Sequence, residues 1–253
     1  MALCTIVPFF SSYVYDYYLN KTDNNKDNMV TSLEEYNQKR NFDKTLEPQG
    51  QKTDTEPSSQ LSFVVQHHIA TRDHFDFRLE WEGVLLSWAV PKGPSYNPGD
   101  KRLAIHVEDH PLDYKNFEGI IPKGQYGGGT VMLWDQGYWK PQHDVNDGLK
   151  KGVLKFELFG NRLKGTWALI KLKDGDNKEN WLLLKENDEY TKDDDGIKKF
   201  TTSITTGRTM DEIEKATDEK FVYNPVSHID VQLARLVDTV PQGEDWLYEL
   251  KYD

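Results

Sequence analysis

The feature that most constrains the fold is a regular succession of short apolar or alternating segments that begins near Leu61, with Gly, Pro or Asn between them. The segments cover 63–66, 74–82, 84–90, 103–108, 130–134, 153–159, 165–172 and 181–186. Short runs with this punctuation are typical of β-strands joined by turns. The pattern therefore predicts an antiparallel barrel or sandwich.

A few short helices are predicted around these strands. Ser32 with Glu35 three residues later has the spacing of a capping box, which predicts a helix that runs to Arg40. A second helix is expected around 144–151. Thr209 with Glu212 predicts a third helix of the same kind.

The start of the chain is apolar, yet it lacks the basic region and small-residue cleavage site of a signal peptide. Residues 1–30 are therefore predicted to be a poorly ordered leader, and no membrane segment is expected. Cys4 is the single cysteine, so an internal disulfide is excluded and a reducing cytoplasm is favoured. Any metal site must then use His, Asp or Glu.

The formal net charge of −11 argues at first against a nucleic-acid partner. The distribution of charge weakens that argument. Residues 63–141 carry 8 Lys and Arg against 10 Asp and Glu, whereas residues 201–253 carry 5 against 11. The excess acidity therefore lies largely outside the region where the site is expected.

The segment 74–81 alternates strictly between polar and apolar residues. His74, Asp76, Arg78 and Glu80 share one face of a strand, and aromatic or aliphatic side chains share the other. Such a polar face suits a metal at one end with an anion beside it. The alternative is a solvent-facing strand with an incidental ion pair.

Histidines are concentrated in the same region, since five of the seven lie between residues 67 and 110. Two imidazoles and a carboxylate, from His68, His74 and Asp76, would form a ligand set for a first-row divalent metal with open positions. The residues leave both Mn²⁺ and Zn²⁺ open. The glycine-rich stretch 124–130 is interpreted as a hairpin or bulge, because it lacks the lysine of a phosphate-binding loop and precedes a strand.

Several ordered blocks resemble the 3′-phosphoesterase module of bacterial and archaeal DNA ligase D repair enzymes. The blocks are FVVQHH (63–68), HFDFRLE (74–80), SWAVPKGP (87–94), KRLA (101–104), VEDHPLDY (107–114) and PKGQYG (122–127). The approach LEEY to KRNFDKT (33–45) looks similar too, so the resemblance covers roughly residues 31–190.

The resemblance implies a mainly β fold, namely a compact antiparallel β-barrel with a polar interior and a few short flanking helices. It also implies Mn²⁺ dependence and removal of 3′-terminal ribonucleotides and 3′-phosphates from DNA ends in double-strand break repair. The metal ligands would be His68, His74 and Asp76. The catalytic and phosphate-binding residues would be Arg78, Arg102, His110, Lys92, Glu108 and Tyr114.

A mechanistic hypothesis assigns these residues to steps. The metal polarises a phosphoryl oxygen or acidifies a bound water, and Arg78 and Arg102 neutralise charge in the transition state. His110 is expected to protonate the leaving oxygen.

The C-terminus has a second, partial resemblance. QLARLV (232–237) and ELKYD (249–253) look like the entry to an ATP-dependent DNA ligase domain. The predicted organisation is therefore a phosphoesterase domain over 31–190, a linker over 191–225 and the truncated start of a ligase domain over 226–253. Lys251 would be the adenylated lysine, but no ligase activity is expected without the rest of the nucleotide pocket.

Two other functions compete with the enzyme. The first alternative is a binding module that holds DNA ends and recruits a ligase without catalysis. The second is a structural fragment. The expected partners are DNA 3′ ends, with a separate DNA ligase and an end-binding protein as further candidates. The expected location is the cytoplasm of a prokaryote.

Overall fold

The computed structural model of the chain describes residues 33–51, 60–173 and 179–216. These ranges contain nine antiparallel strands and three short α-helices. The strands are β1 Leu61–Ile69, β2 Asp73–Trp81, β3 Val84–Val90, β4 Arg102–Pro111, β5 Gly119–Ile121, β6 Gly129–Pro141, β7 Val153–Gly160, β8 Lys164–Lys171 and β9 Asn180–Lys185. The helices are α1 Glu34–Gln38, α2 Val145–Lys151 and α3 Met210–Lys215.

Eight of the strands close into a barrel. The hydrogen-bonded order is β1-β2-β3-β4-β9-β8-β7-β6, and β6 pairs back to β1 to complete the ring. The remaining strand, β5, is added to the first residues of β6. This confirms the predicted mainly β fold, an antiparallel barrel with few short helices.

The interior of the barrel is apolar. One cluster of buried side chains takes members from all eight barrel strands, and its largest members include Trp88, Trp134 and Trp167. An eight-stranded barrel is just wide enough for side chains to fill, so an unpaired charge inside would be costly. The prediction of a polar interior is therefore wrong. The polar residues of β1–β4 that form the candidate site lie on the outer face of the wall.

Two segments cover that outer face. Residues around α1 and the 3₁₀ helix Leu112–Asn116 bring Tyr36, Leu112 and Tyr114 into a second buried cluster, together with Leu85 and Phe117. These segments shield the polar side chains on the outer face of the barrel from water and determine which residues lie next to them.

Further along the chain, part of the stretch predicted to be a linker packs against β6. Trp134 Nε1 donates to the carbonyl of Phe200, and Met210 and Ile213 of α3 contact Met132. The predicted leader (1–30) and ligase start (226–253) lie outside the described residues.

The helix ends follow the predictions in part. The capping box of Thr209 and Glu212 at the start of α3 is confirmed. A helix near 144–151 is also confirmed, with Asp144 accepting from the backbone N–H of Asp147. Leu33 occupies the N-cap of α1 and makes no side-chain cap bond, and Ser32 of the predicted capping box lies outside the described residues. Within the described ranges, no helix has the length and apolar character that crossing a bilayer demands.

Candidate active site

Three predicted metal ligands meet at the end of the β1–β2 hairpin. His68 pairs with His74 across the hairpin, and Asp76 lies two residues further along β2. One ligand atom from each residue lies within 4.8 Å of the others. Asp76 Oδ2 is 3.5 Å from His68 Nδ1, and Asp76 Oδ1 is 3.7 Å from His74 Nε2. The three groups therefore face a common point.

Backbone carbonyls fix which nitrogen of each imidazole faces that point. His68 Nε2 lies 2.8 Å from the carbonyl oxygen of Gly127, and His74 Nδ1 lies 2.9 Å from that of Arg72. Since a carbonyl oxygen only accepts, each of these nitrogens carries the proton. His68 Nδ1 and His74 Nε2 are the nitrogens directed at Asp76, and anchoring the other ring nitrogen by a backbone carbonyl is the arrangement that metal-binding histidines usually show.

Asp76 is held as a carboxylate. Burial on its own would raise the pKa of Asp76, but Arg78, His68 and His74 together lower it well below its ordinary value. The nearest cation is Arg78, whose Nη2 lies 3.1 Å from Asp76 Oδ2. A carboxylate that faces two imidazole nitrogens is a ligand set that suits a divalent cation.

Arg78 is almost completely buried and is fixed on three sides. Its Nε donates to Gln66 Oε1 at 2.8 Å, its Nη1 donates to Ser87 Oγ at 2.9 Å, and its guanidinium carbon lies 4.8 Å from the centre of the Tyr114 ring. Gln66 in turn donates to the carbonyls of Tyr114 and Phe117. The guanidinium is therefore held rigidly next to the candidate cation ligands.

His110 lies beside Tyr114 and is fully enclosed. Its Nδ1 donates to the carbonyl of Glu108 at 2.9 Å, and its Nε2 accepts from Arg40 Nη2 at 3.3 Å. Burial is the largest cause that lowers the pKa of His110 well below its ordinary value, and the positive charges of Arg78 and Arg40 lower it further. The imidazole is neutral near pH 7, so the free protein does not hold it ready as a proton donor.

The segment before β1 supplies a second arginine that sequence reasoning did not select. Arg40 donates to Glu47 at 2.8 Å and to Glu108 at 3.3 Å, and it stacks 3.7 Å from the ring centre of Tyr36. Lys39 reaches the other oxygen of Glu108 at 3.1 Å. Burial would raise the pKa of Glu108, but Lys39 and Arg40 contribute to lowering it. Glu108 thus anchors the covering segment to β4.

Two predicted site residues are not brought into this cluster. Lys92 is exposed in the turn after Val90, which pairs with Phe75 on β2. Arg102, at the start of β4, donates to Asp100 at 2.9 Å and to Asp195 at 3.4 Å. Both residues lie at the same end of the barrel as His74, but no contact among the described residues joins either one to it.

The clustered histidines divide into two groups. His68, His74 and His110 belong to the site. His67 stacks on Phe75 and pairs with Asp73 at 2.6 Å. His106 packs against aromatic residues and lies 3.1 Å from Glu179, and burial lowers its pKa.

Gln66, Ser87, Arg40 and Glu47 complete the surroundings of the site but were not selected from the sequence. Gln66 was detectable, because it precedes His68 by two residues on β1 and must share its face. Ser87 requires the β2–β3 register, which places it opposite Arg78. No local pattern marks Arg40 or Glu47, since both reach the site only through folding of the covering segment.

The fold and the site together define a β-barrel domain with a candidate divalent-cation centre beside buried arginines. The family model for the DNA ligase D 3′-phosphoesterase domain matches residues 66–171. The matched residues are therefore similar to the DNA ligase D 3′-phosphoesterase domain family, and they include all nine predicted site residues.

Similar curated proteins have names that agree with this family. The multifunctional non-homologous end joining protein LigD of Pseudomonas aeruginosa is 43% identical over 235 residues, which is 87% of this chain and 28% of that protein. The multifunctional non-homologous end joining DNA repair protein LigD of Mycobacterium tuberculosis is 47% identical over 121 residues, which is 48% of this chain and 15% of that protein. The chain thus spans a small part of the length of these relatives.

Proposed function

We propose that the barrel is a metal-dependent 3′-phosphoesterase that removes 3′-terminal ribonucleotides and 3′-phosphates from DNA ends during break repair, leaving a ligatable 3′-OH. The observation that carries this proposal is the placement of Arg78 3.1 Å from Asp76, beside the ring nitrogens of His68 and His74 that face the same point. A cation and a guanidinium side by side suit the oxygens of one phosphate.

His68, His74 and Asp76 are proposed to hold the cation, and Mn²⁺ is the proposed metal. Three protein ligands leave coordination positions open for a phosphate oxygen and a water. When bound, the metal supplies Lewis-acid polarisation of a phosphoryl oxygen. The donor set of two imidazoles and one carboxylate is equally compatible with Zn²⁺.

Arg78 is proposed to contact the scissile phosphate, and His110 is proposed to act next to it. Arg78 is already oriented by Gln66 and Ser87, so little side-chain entropy is lost when it binds an oxyanion. His110 offers a neutral Nε2 that accepts a hydrogen bond or a proton. This geometry favours a base or acceptor over the proton-donor role that the sequence suggested.

The remaining predicted residues are proposed to act at the edge of the site. Tyr114 supports both Arg78 and His110 by ring contacts, and Glu108 orients His110 through its carbonyl. Lys92 and Arg102 lie at the His74 end of the barrel, where they would attract the phosphate backbone of the DNA substrate.

The test is an assay on a primer–template that ends in a single 3′ ribonucleotide and on one that ends in a 3′-phosphate, each with and without Mn²⁺. The protein should convert both ends to a 3′-OH only with the metal. His74→Ala should reduce the rate by about 100-fold or more, since it removes one of three ligands. Electrophoresis of the labelled primer and release of inorganic phosphate measure the outcome.

His67→Gln is the matched control, because His67 adjoins His68 but pairs with Asp73 outside the cluster. It should retain activity near that of the wild type. Tight, metal-dependent DNA binding by a wild-type protein that leaves both ends intact would instead identify a non-catalytic end-binding module.

The partners are part of the same proposal. DNA 3′ ends are the substrate, and the products would pass to a DNA ligase, with an end-binding protein holding the break together. The predicted ligase start and Lys251 lie outside the described residues, so the absence of ligase activity stays a prediction.

A further inference from the structure

Tyr126 is an aromatic residue left 48% exposed at the rim of the site. It lies in the connection between β5 and β6, and the next residue is Gly127, whose carbonyl accepts from His68. No role has been assigned to Tyr126 in the proposed reaction. Its exposure next to a residue that orients a metal ligand calls for a physical explanation.

The connection that carries Tyr126 is a pair of hydrogen-bonded turns. Gln125 N–H donates to the carbonyl of Pro122 at 3.1 Å, and Gly128 N–H donates to that of Gln125 at 3.0 Å. Gly124 and Gly127 occupy the third position of these turns with φ of 87° and 73°, values that favour glycine. Tyr126 therefore occupies the second position of a defined turn, which fixes its backbone next to Gly127.

The ring also lies close to the cations of the covering segment. Lys39 Nζ is 4.9 Å from the centre of the Tyr126 ring, and the guanidinium carbon of Arg40 is 5.6 Å from it. Arg40 donates to His110 at 3.3 Å. Tyr126 is thus linked to His68 through Gly127 and to His110 through Arg40.

We infer that Tyr126 stacks on the base of the 3′-terminal nucleotide, an inference that rests on the proposed function. A phosphate at the cation centre places the attached nucleoside at the rim, where an ordered and exposed aromatic ring gives it a surface. Stacking tolerates every base because each one has a π face. The site would accept any terminal base but prefer a nucleotide to an abasic sugar.

The experiment compares two substrates that end in a 3′-phosphate, one with a normal terminal base and one with an abasic terminal sugar. Wild-type protein should show a KM about tenfold lower for the substrate with the base. Tyr126→Ala should raise the KM for that substrate by about tenfold, leave the KM for the abasic substrate unchanged and alter kcat little. Tyr126→Trp should preserve the preference.

Tyr138→Ala is the matched control, because Tyr138 is 39% exposed and stacks on Phe159, a residue of β7 outside the site. It should keep the wild-type preference for the base. A Tyr126→Ala protein that discriminates between the two substrates as strongly as the wild type overturns the inference.

A binding measurement separates this inference from the proposed function. The primer–template carries 2-aminopurine as its terminal base and ends in a 3′-OH, so no cleavage is needed. The wild type, but not Tyr126→Ala, should quench the fluorescence of this base. If Tyr126 quenches the fluorescence but the protein cleaves neither end, the stacking of Tyr126 is supported and the proposed phosphoesterase activity is refuted. If the protein cleaves the ends but quenching does not depend on Tyr126, the phosphoesterase activity is supported and the stacking is refuted.

Discussion

Asp109 occupies an unusual position in β4. Leu85 pairs with His110 and Ser87 pairs with Val107, so two residues of β4 face one residue of β3 and form a bulge. Asp109 is in that bulge, next to Glu108. The pKa of Asp109 is raised to about 7, mainly by burial and to a smaller extent by the negative charges of Glu108 and Glu35.

The raised pKa makes the stability of the protein depend on pH. Between about pH 4 and pH 7 the folded state holds a proton on Asp109 that the unfolded state has lost, so stability falls as pH rises through this window. Asp109→Asn removes the ionisation. The difference in Tm between this variant and the wild type should therefore be a few degrees more positive at pH 8 than at pH 5. Thermal denaturation at the two pH values measures it.

Asp113→Asn is the control for this prediction, because Asp113 is exposed in the following 3₁₀ helix. Its effect on Tm should be the same at both pH values. An Asp109→Asn effect that does not change with pH would show that the Asp109 carboxyl titrates normally.

At the scale of secondary-structure elements, Asp135 joins three strands. It is fully buried on β6, and its two carboxylate oxygens accept from the backbone N–H groups of Arg162 and Leu163 at 2.9 and 2.7 Å. Those residues form the turn between β7 and β8. The carboxylate thus holds a turn that has few other bonds to β6.

Asp135→Ala should lower the free energy of unfolding by about 2–4 kcal/mol, because it leaves two enclosed N–H donors without their acceptor. Urea denaturation followed by tryptophan fluorescence measures the change. The exposed Asp113→Ala should cost less than about 0.5 kcal/mol. Equal changes for the two variants would mean that water hydrogen-bonds to the N–H groups of the turn once the carboxylate is removed.

Strand positions could be predicted because apolar alternation and turn residues are local signals. β5 was missed, since three residues are too few to show a period. The alternation of 74–81 identified which side chains share a face, but a period of two does not say which face points inward. That is why the side chains that share a face of β2 could be grouped, whereas the polar interior that the resemblance implied was wrong.

From the strand pattern alone, the candidate site could be predicted only where it follows one hairpin. His68, His74 and Asp76 lie within nine residues of one another in sequence, so the alternation brings them together. Arg40 and Glu47 reach the same region from before β1, and Ser87 reaches it through the β2–β3 register. These contacts depend on long-range pairing that no local pattern encodes.

At the scale of the whole molecule, the cation should stabilise the closed barrel, because the ligand cluster exists in the folded state. At a Mn²⁺ concentration about 100 times the dissociation constant, the gain is about 2.7 kcal/mol. For a domain of this size this gain should raise Tm by about 5–10 °C. Differential scanning calorimetry with Mn²⁺ and then with excess EDTA measures the rise and its reversal.

His74→Ala should lose most of this metal-dependent rise, whereas His67→Gln should keep it. These two histidines lie on adjoining strands, but only His74 contributes to the cluster. An equal rise in Tm for both variants would place the bound ion elsewhere on the protein.

The two halves of the site differ in how many segments build them. The three candidate cation ligands and Arg78 come from a single hairpin of neighbouring strands, whereas His110 and the residues that enclose Arg78 come from β3, β4 and the covering segment. The hairpin nevertheless depends on the β5–β6 connection, because Gly127 orients His68. A graft of the hairpin onto another antiparallel sheet would therefore need that connection as well to keep its affinity for divalent ions.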